Sequence, residues 1–293
     1  MPLEPFGDAN EAVYPAFEGW GESNDGTSYL IVLGYKNRNR RQTVEVPIGP
    51  HNRIEPDGPD YGQPTVFEPG RQTSVFALEV PKDFGTRKLT WTLVANGQPA
   101  VVTFYLHPEY RLSFYKEESN GNEPPQMRFG PNEPMMSGPH AGFAQTLTAT
   151  VGQPLPLALW ASDAPPTEKN WESIVSAQNR PKPPAVRRDQ IAIVNGQVMG
   201  AGNAARGAGA ATARPPDITV IWKKMRGPGR VTVTPPRVPL VTQGHRDTVV
   251  EASATATFSA PGEYVLRAQP IEHDDGFDGL CCVSFANVKV IVK

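Results

Sequence analysis

Hydrophobic and polar positions alternate along much of this chain with a period of two, which is the pattern of strands buried on one face. Residues 42–48 place Val44 and Val46 on one side, and residues 88–94 do the same with Leu89, Trp91 and Leu93. Residues 73–80 read as a further strand. Residues 28–35 form a strongly apolar run instead, followed by the basic turn Lys36-Asn37-Arg38-Asn39-Arg40-Arg41. A Gly/Pro/Asp-rich stretch at 49–64 reads as a long loop. Asn96-Gly97 is the strongest hairpin signal, because both residues tolerate positive φ, and it leads into a strand at 101–106. Strand signals at roughly 8–12-residue spacing predict a β-sandwich over residues 1–115.

Residues 116–140 carry two Pro-rich stretches with few groups that could join a core, and they predict an extended linker. A second domain is expected over 141–293. Leu155, Leu157 and Leu159 alternate after Val151-Gly152-Gln153-Pro154. The pattern then breaks over 164–216, which holds Arg180-Pro181-Lys182-Pro183-Pro184 and a run of small residues. It resumes with Val220 and Trp222, Val231 and Val233, then Ala254, Ala256 and Phe258. Tyr264, Leu266 and Ala268 line the next strand, and Val288, Val290 and Val292 the last.

The succession Val220-x-Trp222, Gly227-Pro228-Gly229-x-Val231-x-Val233, residues 254–267 and Val288-x-Val290-x-Val292 resembles a polycystic-kidney-disease (PKD) type domain. The resemblance implies an immunoglobulin-like sandwich of a kind common in bacterial surface and secreted proteins, interrupted by an insertion at about 164–216. The expected fold is therefore all-β, with two immunoglobulin-like or fibronectin-like sandwiches joined by a Pro-rich linker. In such a sandwich Trp222, on the third strand, fills the core, and Tyr264, just after a Pro-Gly turn, fits a tyrosine corner.

Composition adds exclusions. Of 293 residues, 28 are basic and 30 acidic, so nothing points to a nucleic-acid partner. With 32 Pro and 27 Gly, long helices are disfavoured. No stretch approaches the ~20 apolar residues that span a bilayer. Met1-Pro2-Leu3-Glu4-Pro5 has neither a basic nor an apolar leader region. The chain is either cytosolic or a leader has been removed; the resemblance favours the periplasm or the cell exterior.

Catalytic motifs such as His-Glu-x-x-His, Gly-x-Ser-x-Gly and the phosphate-binding Gly-x-x-x-x-Gly-Lys-Ser/Thr are absent. The most suggestive segment is His273-Asp274-Asp275-Gly276-Phe277-Asp278-Gly279. In an immunoglobulin-like topology Asp274, Asp275 and Asp278 would meet Asp163 at one end of the sandwich, a carboxylate set able to hold Ca²⁺; a solvated turn is the alternative. No other cofactor is expected. Cys281 and Cys282 are adjacent. In phase with Val288, Cys282 points inward and Cys281 outward beside Val283 and Phe285, so that outer face should be covered, with 164–216 as the expected cover. A vicinal disulfide is one outcome, two reduced thiols another, and a soft-metal or redox site with His273 a third. Arg180, Lys182, Arg187 and Arg188 are candidate docking residues, set against ordinary solvated charge.

These readings converge on the expectation of a non-catalytic, extracytoplasmic protein-binding or scaffold protein that docks through 164–216, as an accessory subunit of a cell-envelope or membrane complex. The alternative is a calcium-assisted carbohydrate- or matrix-binding module, with Trp20, Trp160 or Trp171 as sugar platforms.

Overall fold

A computed structural model describes residues 7–117, 121–163, 218–242, 247–272 and 283–293, with the backbone of two short strands at 192–194 and 197–199. The described chain is built almost entirely of strands.

In the first sandwich they are β1 (Val13–Glu22), β2 (Ser28–Asn37), β3 (Val44–Glu45), β4 (Asn52–Glu55), β5 (Val66–Phe67), β6 (Gly70–Pro81), β7 (Leu89–Ala95) and β8 (Gln98–Phe104). One sheet has the order β1-β2-β6, the other β4-β7-β8, and β3 pairs with β5. Between them lies a core containing Ile31, Leu33 and Tyr35 of β2, Phe76 and Leu78 of β6, and Leu89, Trp91 and Leu93 of β7. The alternation of β7 thus buries the residues its sequence singles out. The turn after it has Asn96 at φ 51° and Gly97 at φ 74°, the doubly positive geometry that ties antiparallel strands by two residues.

The expected loop at 49–64 departs from its reading, since it contains β4, which pairs with β7. Asn52 explains the insertion of so polar a strand. Fully buried, it donates from Nδ2 to the Val46 and Pro64 carbonyls at 2.9 and 2.8 Å, while its Oδ1 accepts from the Trp91 indole at 3.0 Å. One side chain closes the loop onto the core.

The second sandwich comprises β9 (Gln126–Arg128), β10 (Pro139–Ala149), β11 (Leu155–Ser162), β14 (Ile218–Arg226), β15 (Val231–Thr234), β16 (Arg237–Leu240), β17 (Val250–Phe258), β18 (Gly262–Glu272) and β19 (Phe285–Val292); β12 (Ala192–Val194) and β13 (Gln197–Met199) form a separate hairpin. Its sheets run β15-β17-β11-β9 and β10-β19-β18-β14-β16. That pairing places β11 with β17 in one sheet and β14 with β18 and β19 in the other. It is the immunoglobulin-like division, with β10 running parallel to the last strand. β9 falls inside the segment expected to be a linker. Its Met127 is fully buried, and it pairs with the end of β11. Three residues sufficed to make a strand, too few for alternation to announce.

Trp222 lies in this core, 4% exposed, edge-on to Phe129 at 6.2 Å. Tyr264 is fully buried and makes the corner: its hydroxyl donates to the Ala260 carbonyl at 2.8 Å and accepts from the Gly229 N–H at 3.0 Å. Its ring lies so close to Gly227 that a Cβ there would come within 2.1 Å of it.

Candidate functional site

Two places in the fold gather unusual side chains. One is the junction between the sandwiches, the other an end of the second sandwich.

The junction arises because inner and outer residues alternate on β14, β18 and β19. While Trp222, Leu266 and Val288 face the second core, Met225 and Val265 join the core cluster of the first sandwich. Phe285 packs with Leu30 and Val32 of β2, Ala77 of β6 and Phe114, flanked by Val283 and Ala141. Strand β2 is therefore buried on both faces, which accounts for its unbroken apolar run. This corrects the expectation that 164–216 covers the outward face of Val283 and Phe285. The cover is the first sandwich, because strand periodicity reveals that a face is covered but not by which segment.

Around this apolar contact runs a polar rim. Lys223 Nζ meets Glu68 Oε2 and Gln72 Oε1, both at 2.9 Å. Lys224 Nζ reaches Glu45 Oε1 at 3.2 Å. Arg226 grips Asp60 with both terminal nitrogens, at 3.0 and 2.7 Å, and donates from Nε to the Gln63 carbonyl at 2.7 Å. The Thr65 N–H donates to the Met225 carbonyl at 3.0 Å, a backbone tie between the two units. The fork of Arg226 holds the Asp60 carboxyl below the ordinary aspartate range, with burial opposing it.

At the centre sits Arg267, 4% exposed, its guanidinium 4.5 Å from the centre of the Phe285 ring. Burial pulls its pKa down to about 9, against a smaller upward effect of Tyr35. Val283 and Phe285 are legible in the sequence as a covered pair, but the charged residues of the junction do not stand out there. Lys223 and Arg267 occupy phases that alternation assigns to solvent, whereas Lys224 and Arg226 are in phase with the inward Val220 and Trp222 and reach the junction at the end of β14, where the register shifts between Lys224 and Arg226. The available hint was the density of cations at the end of β14, directly after the apolar Val220-Ile221-Trp222.

At the other place, strand register brings together the ends of β16 and β18 with the start of β14, since Ile218 lies opposite both Leu240 and Glu272. The Thr242 hydroxyl donates to the Asp163 carbonyl at 3.3 Å, joining the end of β11 to this edge. Asn122 Nδ2 donates to Glu272 Oε2 at 2.8 Å, and Ser284 Oγ accepts from the Gly138 N–H at 2.8 Å. Asp163 itself is buried here. Asp274, Asp275, Asp278, Cys281, Cys282, Arg180, Lys182, Arg187, Arg188 and Trp171 lie outside the described residues. Among the described residues no group of three or more His, Cys, Asp or Glu side chains is placed to hold a metal ion, and no helix is long and apolar enough to cross a membrane.

Other candidates resolve differently. Trp20 is 8% exposed and donates its indole N–H to the His107 carbonyl at 2.7 Å, so it is a core residue and not a sugar platform. Trp160 is half-buried on β11. Arg38 and Arg41 of the basic turn face Glu11 and Asp8 of the same chain. A half-open groove of about 400 Å³ runs between residues 44–51 and 94–96, without a catalytic set in its lining.

No protein-family model matches the chain, and no curated protein matches it. Among solved structures, the D00-D0 domain of intimin aligns at a TM-score of 0.26 and 10% identity, covering 96% of this chain and all of that one. Domains 4 and 5 of the S-layer protein SbsC align at 0.22 and 9% identity, covering 96% of this chain and 98% of that one. Superpositions at that level carry nothing about function, and the immunoglobulin-like assignment rests on the strand order itself.

Proposed function

We propose that this chain is a non-catalytic, extracytoplasmic scaffold that docks onto another protein, as an accessory subunit of a cell-envelope or membrane complex. The observation that supports the reading is the junction. One face of the second sandwich is occupied by the first, through Phe285, Met225, Val265 and the Arg226–Asp60 pair. A sandwich braced in this way holds its ends in fixed orientation, which is how rigid scaffolds present recognition segments. Residues 164–216 leave from the end where β11 stops and β14 starts, and with Arg180, Lys182, Arg187 and Arg188 they are the proposed docking segment. Their Pro-rich, small-residue composition suits a segment that gains its contacts from a partner. Within the immunoglobulin-like class, the PKD type is our reading of the motif spacing.

The test is a deletion. A chain lacking 164–216, closed by a short Gly/Ser bridge, should keep its thermal transition and its strand signature by circular dichroism. It should fail to co-purify, at native mass, with the stoichiometric partner that the intact chain brings down from its own cells. Undiminished co-purification by a folded deletion variant defeats the reading.

One observation favours a second reading. Asp163, just past the end of β11, and Glu272, the last residue of β18, lie at the same edge, and Asp274, Asp275 and Asp278 come after Glu272 in the sequence. Calcium held there would serve a carbohydrate- or matrix-binding module. This reading expects millimolar Ca²⁺ to raise the melting temperature of the intact chain but not of Asp275→Asn; an unchanged melting temperature removes it.

A further inference from the structure

Arg267 is a buried cation with no counter-charge of its own. It stands in register with Lys223 on one side and Asn287 on the other, in the middle of the sheet face covered by the first sandwich. Its Nε and Nη2 are buried without hydrogen-bond partners. No carboxylate among the described residues lies within ion-pair distance of it, whereas Lys223, Lys224 and Arg226 each have one. The Phe285 ring supplies one face of contact. A small cavity of about 10 Å³ is lined by Tyr35, Glu68, Gln72, Lys223, Met225 and Arg267. Its volume matches roughly one water-sized sphere.

We propose that this cavity binds one small monoatomic anion, chloride being the natural occupant, held by the Arg267 guanidinium at the junction of the two sandwiches. The charges facing the cavity decide the sign. Lys223 is matched by Glu68, and Lys224 by Glu45 just outside, which leaves the charge of Arg267 uncompensated. Isolated charges are costly to bury and require a counter-charge as well as hydrogen bonds. Tyr35, whose hydroxyl accepts from the Glu68 N–H at 2.8 Å, stays a neutral phenol, because burial pushes its pKa upward. The small volume selects a monoatomic ion and excludes sulfate and phosphate. The competing occupant is a water molecule. Asn287 Oδ1, opposite Arg267 and also without a hydrogen-bond partner, could accept from water but not from an anion. Water would satisfy the N–H groups and leave the charge unbalanced. Occupancy by the anion would join the sandwiches more tightly, so it is a stabilising ligand of the junction, independent of any docking partner.

The experiment compares the intact chain in sodium gluconate, sodium chloride and sodium bromide at equal ionic strength and neutral pH. The expected result is a melting temperature about 2–4 °C higher at ~100 mM chloride or bromide than in gluconate, and no such difference for Arg267→Met. Crystals grown in bromide should show an anomalous peak within hydrogen-bond distance of Arg267 Nε or Nη2. This second measurement needs no variant, so it stands if Arg267→Met fails to fold. Equal melting temperatures in the three salts, or a junction holding water without anomalous signal, overturns the proposal.

Discussion

Tyr264 and Asn52 illustrate how much one polar atom secures when the core around it is dry. The Tyr264 hydroxyl joins the Ala260 carbonyl to the Gly229 N–H, across the turn that begins at Gly227. Tyr264→Phe removes both bonds and keeps the ring, so it should cost about 1–3 kcal/mol in urea unfolding, with an unchanged m-value. Asn52→Ala should cost more, about 3 kcal/mol or above, because two carbonyls and the Trp91 indole N–H lose their partner inside the protein. The two roles differed in legibility. Tyr264 sits after a Pro-Gly turn in a recognisable frame, so its sequence position declared it. Asn52 occupies a stretch rich in Gly, Pro and Asp, where an Asn is ordinary turn chemistry and nothing local marks it as buried.

Among the elements, those read most readily were the ones with enough alternating positions to show a period. β7, β17, β18 and β19 are such strands, and their inward residues form the cores. β4 and β9 are short, and they are strands by virtue of their neighbours β7 and β11. β19 carries the clearest prediction at this scale. Phe285, fully buried against Leu30, Val32 and Ala77, belongs to the junction and not to the second core. Phe285→Ala should lose about 3–5 kcal/mol, near the full penalty for a core aromatic. A surface strand residue would lose far less. β14 contributes the acid response. Asp60, held by Arg226, has a folded-state pKa below its unfolded value. Its stabilisation is complete above the unfolded value and disappears as pH falls through the folded one. The junction should therefore loosen at the acid edge of the aspartate range, seen as a rise in radius of gyration by small-angle scattering. Asp60→Asn should already be weaker at neutral pH and lose that acid step.

At the scale of the whole molecule, the apolar contact, its ionic rim and the Thr65–Met225 backbone bond make the sandwiches depend on each other. Calorimetry should show one unfolding transition whose calorimetric and van't Hoff enthalpies agree; two separated peaks would mean that the junction does not couple them. The sequence by itself determined the all-β class, the second sandwich with Trp222 and Tyr264 in place, and the fact that something covers Val283 and Phe285. All of these are consequences of a two-residue period and of turn chemistry, which are local. Tertiary structure alone decided what the cover is. The outward face of β19 could have met an insertion, a partner or a sister domain with the same pattern of residues. It also decided the fate of Arg267, because a charge in an outward phase looks solvated until another sheet is laid over it.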